Sequence, residues 1–498
     1  MSLSSFLQSK IPNIYWGKAP KNLSKNAIVF FPYNPNILRC GLACIVEFKQ
    51  KQPEKICIFQ DLYTKLSGQN SIEQISNAFL EELETQTMLQ SDADFCAFAK
   101  NDKQQEYLLG IGQKLQSLIE KQEKKWTSNE KQNVILVRLR DITWRIQQEH
   151  LKNLEKIQSF LQQPLNNIPD SVLISYRRIN SILNSIDRLE IRGRDSAGLV
   201  ATLFLDNIHY KILDEKWKEK NLWKEYENRL QFQDLISQTI RHQIQNDQHV
   251  IHFTFKVCSE IGKLGDNACR LREIIQQDAV FQEAIFANQE PIQCLAHTRW
   301  ASNGIINIYN CHPLDNAYFQ NNTEHFANLT NHPLYKGEVN IYVAINGDID
   351  NYDELKSNIE KENNFHISDK VTTDAKIIPL IVQDNIKKGA SVAESFRQAV
   401  SQFQGSHAIA LQTNLEPGKM YLALQGSGQA IYLGIAPERY VVASEVYGII
   451  EDTEEYIKIE GEAPKIADQV HAQGQIYILD NTKGGLQGIQ ALYYDGTS

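Results

Sequence analysis

The stretch CGLACIVEF at positions 40–48 decides the fold class, because most of its residues are apolar. A strand that is apolar on both faces is typical of a sheet that is covered on both sides. A second apolar run, AIVFF at 27–31, comes before it and is closed by Pro32. Three more strand-like runs in the last third are separated by Gly or Pro turns: YLAL at 421–424, AIYL at 430–433 and YVVA at 440–443. These segments predict an α/β body.

A region rich in Gln, Glu and Lys interrupts this body between about 50 and 185. Apolar residues recur there at helical spacing in two stripes. They are Ile142, Ile146, Leu151, Leu154, Ile157 and Leu161, and then Leu173, Tyr176, Ile179, Leu183, Ile186 and Leu189. We interpret both stripes as faces on which helices pack together. A further helical stretch is expected from about 213 to 245, followed by renewed alternation of strands and helices.

The composition argues against several classes of protein. The chain has 498 residues, a formal net charge of −9 and no basic stripe, so no nucleic-acid partner is expected. No run approaches the roughly 18 apolar residues that a membrane span needs, so no membrane partner is expected either. The 8 cysteines include no CxxC pair, which argues against a structural zinc site. We expect no metal and no cofactor, and the cytoplasm is the default location for such a chain.

Cys40 is the first residue with a candidate chemical role. A cysteine in a cytoplasmic chain is ordinarily a packed residue, and a free thiol with a pKa of about 8.5 is mostly protonated at neutral pH. Gly41 follows Cys40 and gives close access to the backbone, but no histidine lies beside it in the sequence. If the bond after Arg39 were cut, the α-amine of Cys40 would have a pKa of about 7.7–8.0 and would supply the missing base.

Three other segments could complete a site around such a nucleophile. In HTRWASNG, Arg299 could hold a carboxylate with two hydrogen bonds, or it could form a surface ion pair. In VAINGDI, Asn346 and Gly347 are either an ordinary turn or the donors of an oxyanion hole. Thr373 or Asp374 could cap a helix, or the carboxylate could pair with a substrate ammonium. An α-amino acid with a side-chain amide would use all of these groups.

The order of these segments resembles that of class II glutamine amidotransferases. The segments are CGL at 40–42, RGRDSAG at 192–198, HTRW at 297–300, NG at 346–347 and TD at 373–374. Within this family, the RGxDSAG and HTRWA wording most resembles the glutaminase domain of glutamine–fructose-6-phosphate aminotransferases. The resemblance implies the N-terminal-nucleophile hydrolase fold. This is a four-layer αββα sandwich of the α+β class, here with a large helical insertion.

The resemblance also implies the catalytic groups. Cys40 is the nucleophile and its freed amine is the base. Asn346 and Gly347 form the oxyanion hole. Gly41 and Arg192 support the strand that carries the nucleophile.

The groups that bind substrate follow from the same resemblance. Arg299 holds the α-carboxylate of glutamine, helped by Trp300 and Ser302. Asp374 binds the α-ammonium. The supporting residues beside these groups are His297, Thr298 and Thr373.

The chain departs from the family pattern at two positions. Family members usually begin Met-Cys, whereas Arg39 precedes Cys40 here, so residues 1–39 are expected to be a leader or propeptide. Asn303 stands where the family usually has a histidine. The main domain is expected to cover residues 40–490. Residues 491–498 resemble the start of a linker to sugar-phosphate isomerase domains.

The expected reaction is hydrolysis of glutamine to glutamate and ammonia. The ammonia would pass to fructose 6-phosphate, giving glucosamine 6-phosphate on isomerase domains or a subunit outside this sequence. Two alternatives stay open within the family: a catalytically silent module that binds glutamine for regulation, and an amidotransferase with another acceptor. A third is an interaction scaffold that works through the helical insertion. The expected partners are glutamine, the isomerase part and further copies of the chain.

Overall fold

The computed structural model describes residues 15–18, 40–48, 59–125, 130–232, 234–258, 263–301, 304–320, 323–459, 461 and 474–497. The described residues fall into two compact units. The first contains 15–17, 40–48 and everything described from 181 onwards, and the second contains 59–180. The strand expected at 27–31 lies outside the described residues.

The second unit is helical, as the apolar stripes predicted. Its helices are α1 (Phe59–Ser67), α2 (Asn77–Gln86), α3 (Asp92–Ala99), α4 (Asp102–Lys124), α5 (Glu130–Trp144), a π-helical segment (Arg145–Leu151), α6 (Lys152–Leu161) and the first half of α7 (Asp170–Leu189). Phe160 of α6 stacks on Tyr176 of α7 with ring centroids 5.5 Å apart. Buried Asp92 accepts a hydrogen bond of 2.9 Å from Arg177 and also pairs with Arg178. Stacked apolar faces and a paired buried carboxylate are the features of a helix-packing core.

Two large sheets make up most of the first unit. The first sheet runs, in spatial order, β1 (Tyr15–Lys18), β17 (Glu455–Ile459), β15 (Ile431–Ala436), β16 (Arg439–Ala443), β2 (Gly41–Glu47), β6 (Gln293–Arg299), β3 (Ser196–Asp206), β5 (Gln248–Cys258) and β4 (Ile240–Gln245). The second runs β19 (Ile489–Tyr493), β18 (Gln475–Asp480), β14 (Lys419–Gln425), β13 (His407–Thr413), β12 (Ile341–Gly347) and β7 (Leu314–Asp315). The strands predicted at 40–48, 421–424, 430–433 and 440–443 all form.

Shorter strands and helices complete the first unit. The strands are β8 (Tyr318–Gln320), β9 (Thr323–His325), β10 (Asn328–Leu329) and β11 (Gly337–Glu338). The helices are α8 (Asn207–Glu219), α9 (Trp223–Leu230), α10 (Asp266–Gln277), α11 (Ala279–Ala287), α12 (Tyr352–Asn363), α13 (Ile377–Lys387) and α14 (Val392–Val400). In the described parts of the chain, no helix is long and apolar enough to cross a membrane.

The two sheets pack face to face between two layers of helices. On β12, Tyr342 and Ala344 lie in the apolar cluster that joins the sheets. Val343 and Ile345, which point the other way, lie in a second cluster with α13 and α14. This alternation with a period of two is what a strand between two apolar layers requires.

Helices also cover the outer face of the first sheet. Phe253 and Phe255 of β5 both meet Phe281 of α11 edge to face, with ring centroids 5.0 and 5.1 Å apart. The layers are therefore helix, sheet, sheet and helix. The αββα sandwich of the α+β class that the resemblance implied is confirmed.

The prediction of a helical stretch from about 213 to 245 is wrong for the second half of that range. Helix α9 ends at Leu230, and β4 follows as the outer strand of the first sheet. The turn from β4 to β5 consists of Asn246 and Asp247, with φ of 49° and 61°. A two-residue turn with positive φ at both positions closes a tight hairpin, so strand pairing with β5 overrides helical spacing here.

The last strand also passes an expected boundary. Strand β19 ends at Tyr493 and pairs along its whole length with β18. The second sheet thus continues beyond residue 490, into the segment expected to be a linker. The role of residues 494–498 as a linker stays a prediction.

Candidate active site

Cys40 stands directly before the central strand of the first sheet. Strand β2 lies between β16 and β6, and its first residue, Gly41, is paired with Thr298. Because β2 and β6 are antiparallel, the start of one strand lies beside the end of the other. The candidate nucleophile therefore lies next to Arg299 and Trp300, although some 260 residues separate them in sequence.

The sulfur of half-buried Cys40 contacts the backbone of Trp300. The Trp300 N–H donates to Sγ at 3.3 Å, and the thiol is 3.5 Å from the Trp300 carbonyl oxygen. Burial raises the pKa of the Cys40 thiol to about 11, against the opposing effects of the Trp300 N–H and the Arg299 charge. With the preceding residue still attached, the thiol is thus protonated at neutral pH and needs a base.

Only a glycine fits at position 41, because neighbouring side chains leave no room for a Cβ. A Cβ at this position would lie 2.6 Å from Leu189 Cβ and 2.6 Å from Thr298 Cγ2. Both neighbours are fully buried side chains that cannot move aside cheaply. Thr298 in turn donates its hydroxyl to the Gly193 carbonyl. These contacts fit the supporting roles expected for Gly41 and Thr298.

The RGRDSAG segment holds the backbone on both sides of Trp300. The Asp195 N–H donates to the Arg299 carbonyl at 3.1 Å. The Asp195 carboxylate accepts from the Ala301 N–H at 2.8 Å. Asp195 belongs to this motif, but the motif alone assigns it no role. Its contacts fix the peptide groups that surround the Cys40 sulfur.

Arg192 makes its side-chain contacts further along the sheet. Its guanidinium pairs with Glu445 and donates to the Tyr447 hydroxyl at 3.3 Å. These residues directly follow β16, the other neighbour of β2. Arg192 therefore supports the surroundings of the nucleophile strand through β16.

Asn346 and Gly347 end β12 and face the end of β6. His297 Nε2 lies 3.1 Å from Asn346 Oδ1 and 2.9 Å from the Ile345 carbonyl. Burial lowers the pKa of His297 to about 3, so the ring is neutral. Because both neighbours of Nε2 are oxygen atoms that accept hydrogen bonds, the single proton of the neutral ring lies on Nε2. With Asn346 Oδ1 engaged by this donor, the amide nitrogen is the part of Asn346 that can donate to another group.

Gly347 adopts a conformation that other residues avoid. Its φ is +97°, and an added Cβ would lie 2.1 Å from the Ser406 carbonyl oxygen. The backbone thus turns sharply directly after Asn346. The backbone N–H of Gly347 and the oriented side-chain amide of Asn346 are therefore neighbours, and an oxyanion hole is built from such a pair of donors.

Asp374 does not act as the helix cap that was one of its two expected roles. It begins a single 3-10 turn, Asp374–Lys376, before α13, and Thr373 at the cap position makes no side-chain capping bond. Instead, Asp374 Oδ2 accepts from the Ile349 N–H at 2.7 Å, and Thr373 Oγ1 donates to Oδ1 at 3.3 Å. Burial raises the pKa of the Asp374 carboxyl. The carboxylate is therefore held two residues beyond Gly347.

Arg299 is buried, and its guanidinium donates to the Ile305 carbonyl at 3.3 Å. Arg299, Asp348 and Asp374 all lie close enough to Cys40 to affect its pKa. The fold thus brings together candidates from β2, β6, β12 and the turn before α13. Ser302, together with Asn303, lies outside the described residues, so its expected role stays a prediction.

Residues 326–451 match the family model described as a glutamine amidotransferase domain. The match covers about a quarter of the chain and shows that this stretch is similar to glutamine amidotransferase domains. The match includes Asn346, Gly347 and Asp374, whereas Cys40 and Arg299 lie outside it. The resemblance stated from the sequence motifs is confirmed at the level of this family.

Curated relatives of the amidotransferase domain include glutamine–fructose-6-phosphate aminotransferases. That of Thermococcus kodakarensis is 27% identical over 180 residues, covering 36% of this chain and 26% of the relative. That of Methanothermobacter thermautotrophicus is 28% identical over 183 residues, covering 37% of this chain and 27% of the relative. The chain therefore matches about a quarter of the length of these relatives.

A solved structure with some similarity is the glutamine phosphoribosylpyrophosphate amidotransferase from B. subtilis complexed with ADP and GMP. It aligns with 64% of this chain and 46% of its own, at 15% identity and a TM-score of 0.34. The assignment of the fold to this domain rests on its own sheet order and layers.

Proposed function

We propose that the domain hydrolyses glutamine with Cys40 as the nucleophile, after the bond between Arg39 and Cys40 has been cut. One observation carries the proposal: the Cys40 sulfur lies against the Trp300 backbone, beside Arg299. Nucleophile and carboxylate clamp thus meet at one point of the first sheet. Oxyanion donors and an acceptor for an ammonium group follow from β12 and the turn before α13.

The base in this proposal is the freed α-amine of Cys40. The pKa of the thiol is raised to about 11 by burial, so it does not ionise unaided. His297 Nε2 faces the Ile345 carbonyl and Asn346, and burial lowers the pKa of the ring to about 3, so His297 is a poor proton acceptor at neutral pH. An α-amine of pKa about 7.7–8.0 on the same residue is partly neutral at physiological pH and lies within reach of the thiol.

Bond making and breaking balance without any further group. The amine takes the thiol proton, Sγ attacks the side-chain carbonyl carbon of glutamine, and the oxygen becomes an oxyanion held by Asn346 and Gly347. Collapse of this intermediate breaks the C–N bond, and the protonated amine delivers its proton so that ammonia leaves. The amine then takes a proton from water, the resulting hydroxide attacks the thioester carbon, the C–S bond breaks, and the sulfur recovers the proton from the amine as glutamate leaves.

The substrate is held at its α-carbon by opposite charges. Arg299 offers a planar pair of donors to the α-carboxylate, with Trp300 and Ser302 beside it. Asp374, whose carboxylate is buried and oriented by Thr373 and Ile349, accepts the α-ammonium. Both charged ends must be present for tight binding, which favours a free amino acid over a peptide-bound glutamine.

We further propose that the ammonia goes to a sugar phosphate. The relatives in Thermococcus and Methanothermobacter are named for transfer to fructose 6-phosphate, and they are about four times longer than the matched region. The acceptor would be bound by isomerase domains or a subunit outside this sequence. Glucosamine 6-phosphate formation and assembly into a homo-oligomer are parts of this proposal.

The test is glutamate release from glutamine by the purified chain, with Cys40→Ala measured alongside. We expect the variant to lose at least about a thousandfold in kcat, as for other removed nucleophiles. Cys258→Ala is the matched control, because Cys258 is also half-buried in the first sheet but lies on β5. A Cys40→Ala variant with wild-type activity would overturn the proposal.

The state of the N-terminus distinguishes this proposal from a silent glutamine-binding module. Intact-mass measurement of the active preparation should give a chain that begins at Cys40. Turnover by a chain with Arg39 still attached would contradict the role of the α-amine. Glutamine binding without turnover by a chain that begins at Cys40 would favour the regulatory module.

A further inference from the structure

A buried asparagine between the candidate segments contacts residues next to both ends of the proposed glutamine clamp. Asn310 is fully buried and ends a 3-10 turn, Ile308–Asn310, that follows the loop after Arg299. No motif singled it out. Every polar atom of its amide has a partner, and these partners fall into two groups.

The first group lies on the Arg299 side. Asn310 Nδ2 donates to the Ile305 carbonyl at 2.9 Å. Arg299 donates to the same carbonyl oxygen at 3.3 Å. The amide of Asn310 and the guanidinium of Arg299 are therefore held by one shared acceptor, and moving one group disturbs the other.

The second group lies on the Asp374 side. Asn310 Oδ1 accepts from the N–H groups of Thr372 and Thr373, at 2.8 and 3.3 Å. Asn310 Nδ2 also donates to Thr372 Oγ1 at 2.8 Å. Asp374 is the next residue along the chain. Thus the backbone directly before Asp374 is anchored on the same side chain.

A direct bond between the two segments completes the arrangement. The Ile305 N–H donates to Thr372 Oγ1 at 3.3 Å. Ile305, Thr372 and Asn310 thus form a closed set of hydrogen bonds, with Arg299 attached at one end and Asp374 at the other. Such a set resists changes in the distance between its ends, because several bonds must lengthen together.

We infer that Asn310 is a positioning residue that sets the spacing between Arg299 and Asp374 to the span of an α-amino acid. The inference rests on the proposed function, since it assigns those two groups to the carboxylate and the ammonium of glutamine. Asn310 does not touch the substrate. Its effect is on binding, because the clamp holds the α-carbon equally in the bound and reacting states.

The test compares steady-state kinetics for Asn310→Ala with those of the wild type. We expect KM for glutamine to rise at least about tenfold, while kcat stays within about threefold of the wild-type value. A displaced clamp weakens binding of the substrate and of the transition state alike. Inhibition by L-glutamate, which has the same α-groups, should weaken in parallel. Alkylation of Cys40 by iodoacetamide, which has no α-amino acid group, should keep its rate.

A matched variant separates positioning from general stability. Asn316 is equally buried, and its amide donates to the Val339 carbonyl at 2.7 Å and accepts from the Ile341 N–H at 2.7 Å. It lies at the other end of β12, away from the clamp. Asn316→Ala should lower the thermal midpoint about as much as Asn310→Ala while leaving KM within about threefold.

A second variant covers the case in which Asn310→Ala does not fold. Thr372→Val keeps the shape of the side chain but removes the hydroxyl that Ile305 and Asn310 share. We expect KM to rise about threefold to tenfold, which corresponds to one or two lost hydrogen bonds.

The outcomes separate the inference from the function on which it rests. Unchanged KM in Thr372→Val and in folded Asn310→Ala, with an active wild type, would overturn the positioning role alone. An equal rise of KM in Asn316→Ala would also overturn it, since the effect would then be general. A wild-type chain that begins at Cys40 and neither turns over nor binds glutamine would overturn both.

Discussion

Two buried carboxylates of the domain, Asp315 and Asp374, differ in what neutralises their charge. Asp315 accepts from the Lys376 ammonium at 2.9 Å, and the same ammonium donates to the Asp315 carbonyl at 2.8 Å. Burial alone would raise the pKa of Asp315, but Lys376 and Arg241 hold it below its usual range. The sequence places Lys376 only two residues after Asp374, yet its ammonium serves the other carboxylate.

Asp374 has neutral donors instead of a cation. Its donors are the backbone N–H groups of Ile349 and Ala375 and the Thr373 hydroxyl. Among the residues that the structure describes, no ion pair joins it to a Lys, Arg or His. Its pKa is accordingly raised by burial. A buried carboxylate that is oriented but lacks a partner cation is suited to receive a cationic ligand. The comparison therefore assigns a structural role to Asp315 and supports the proposal that Asp374 receives the substrate ammonium.

The largest expected effect that tests this comparison is a loss of free energy of unfolding in Asp315→Asn. The substitution leaves the Lys376 ammonium buried without an anion, which costs about 3–5 kcal/mol. Urea unfolding should show this loss, whereas KM for glutamine in the folded variant should stay near the wild-type value. Adding Lys376→Met should recover part of the stability. A variant as stable as the wild type would show that the pair is not the structural element.

The next effect is a loss of activity in Asp374→Asn. Loss of the charge opposite the substrate ammonium should lower kcat/KM by about 1.5–3 kcal/mol, or roughly tenfold to 150-fold. Stability should not fall. Because the pKa of Asp374 is raised in the folded state, its ionised form costs stability above its usual pKa, and the amide removes that cost. Unchanged kcat/KM, or a clear drop in the unfolding midpoint, would place Asp374 with Asp315 as structural.

The smallest expected effect comes from Arg299→Lys, at the other end of the clamp. Lysine keeps the charge but loses the planar pair of donors, so one hydrogen bond to the α-carboxylate is lost. We expect KM for glutamine to rise by about 1–1.5 kcal/mol, or roughly fivefold to tenfold, with kcat little changed. Competitive inhibition by L-glutamate should weaken to the same degree. An unchanged KM would remove Arg299 from the clamp.

The sequence predicted the strands and the long helices where a single periodicity was decisive. Residues 41–47 are buried on both faces and form the centre of a covered sheet. The stripe from Leu173 to Leu189 is buried along one helix. The stretch 231–245 was mistaken for helix, because its apolar residues fit both periods and the turn at Asn246 and Asp247 was not recognised.

From the sequence, only those residues of the candidate site that belong to short motifs could be predicted. RGxDSAG and HTRWA indicated Arg299 and its neighbours, but not that Asp195 would hold the peptide groups around Trp300. Asn310 gave no signal at all, because an isolated Asn in a polar loop is common. Its importance comes from contacts with segments five and about sixty residues away.

The sequence by itself determined the resemblance to glutamine amidotransferases, the order of the candidate segments and the helical nature of the insertion, because these depend on local composition and spacing. Only the tertiary structure decided which polar groups are partnered. Lys376 could serve Asp374 or Asp315, and the register of β7 beside β12 gives it to Asp315. Such choices depend on distances between segments far apart in the chain, and burial makes each of them energetically large.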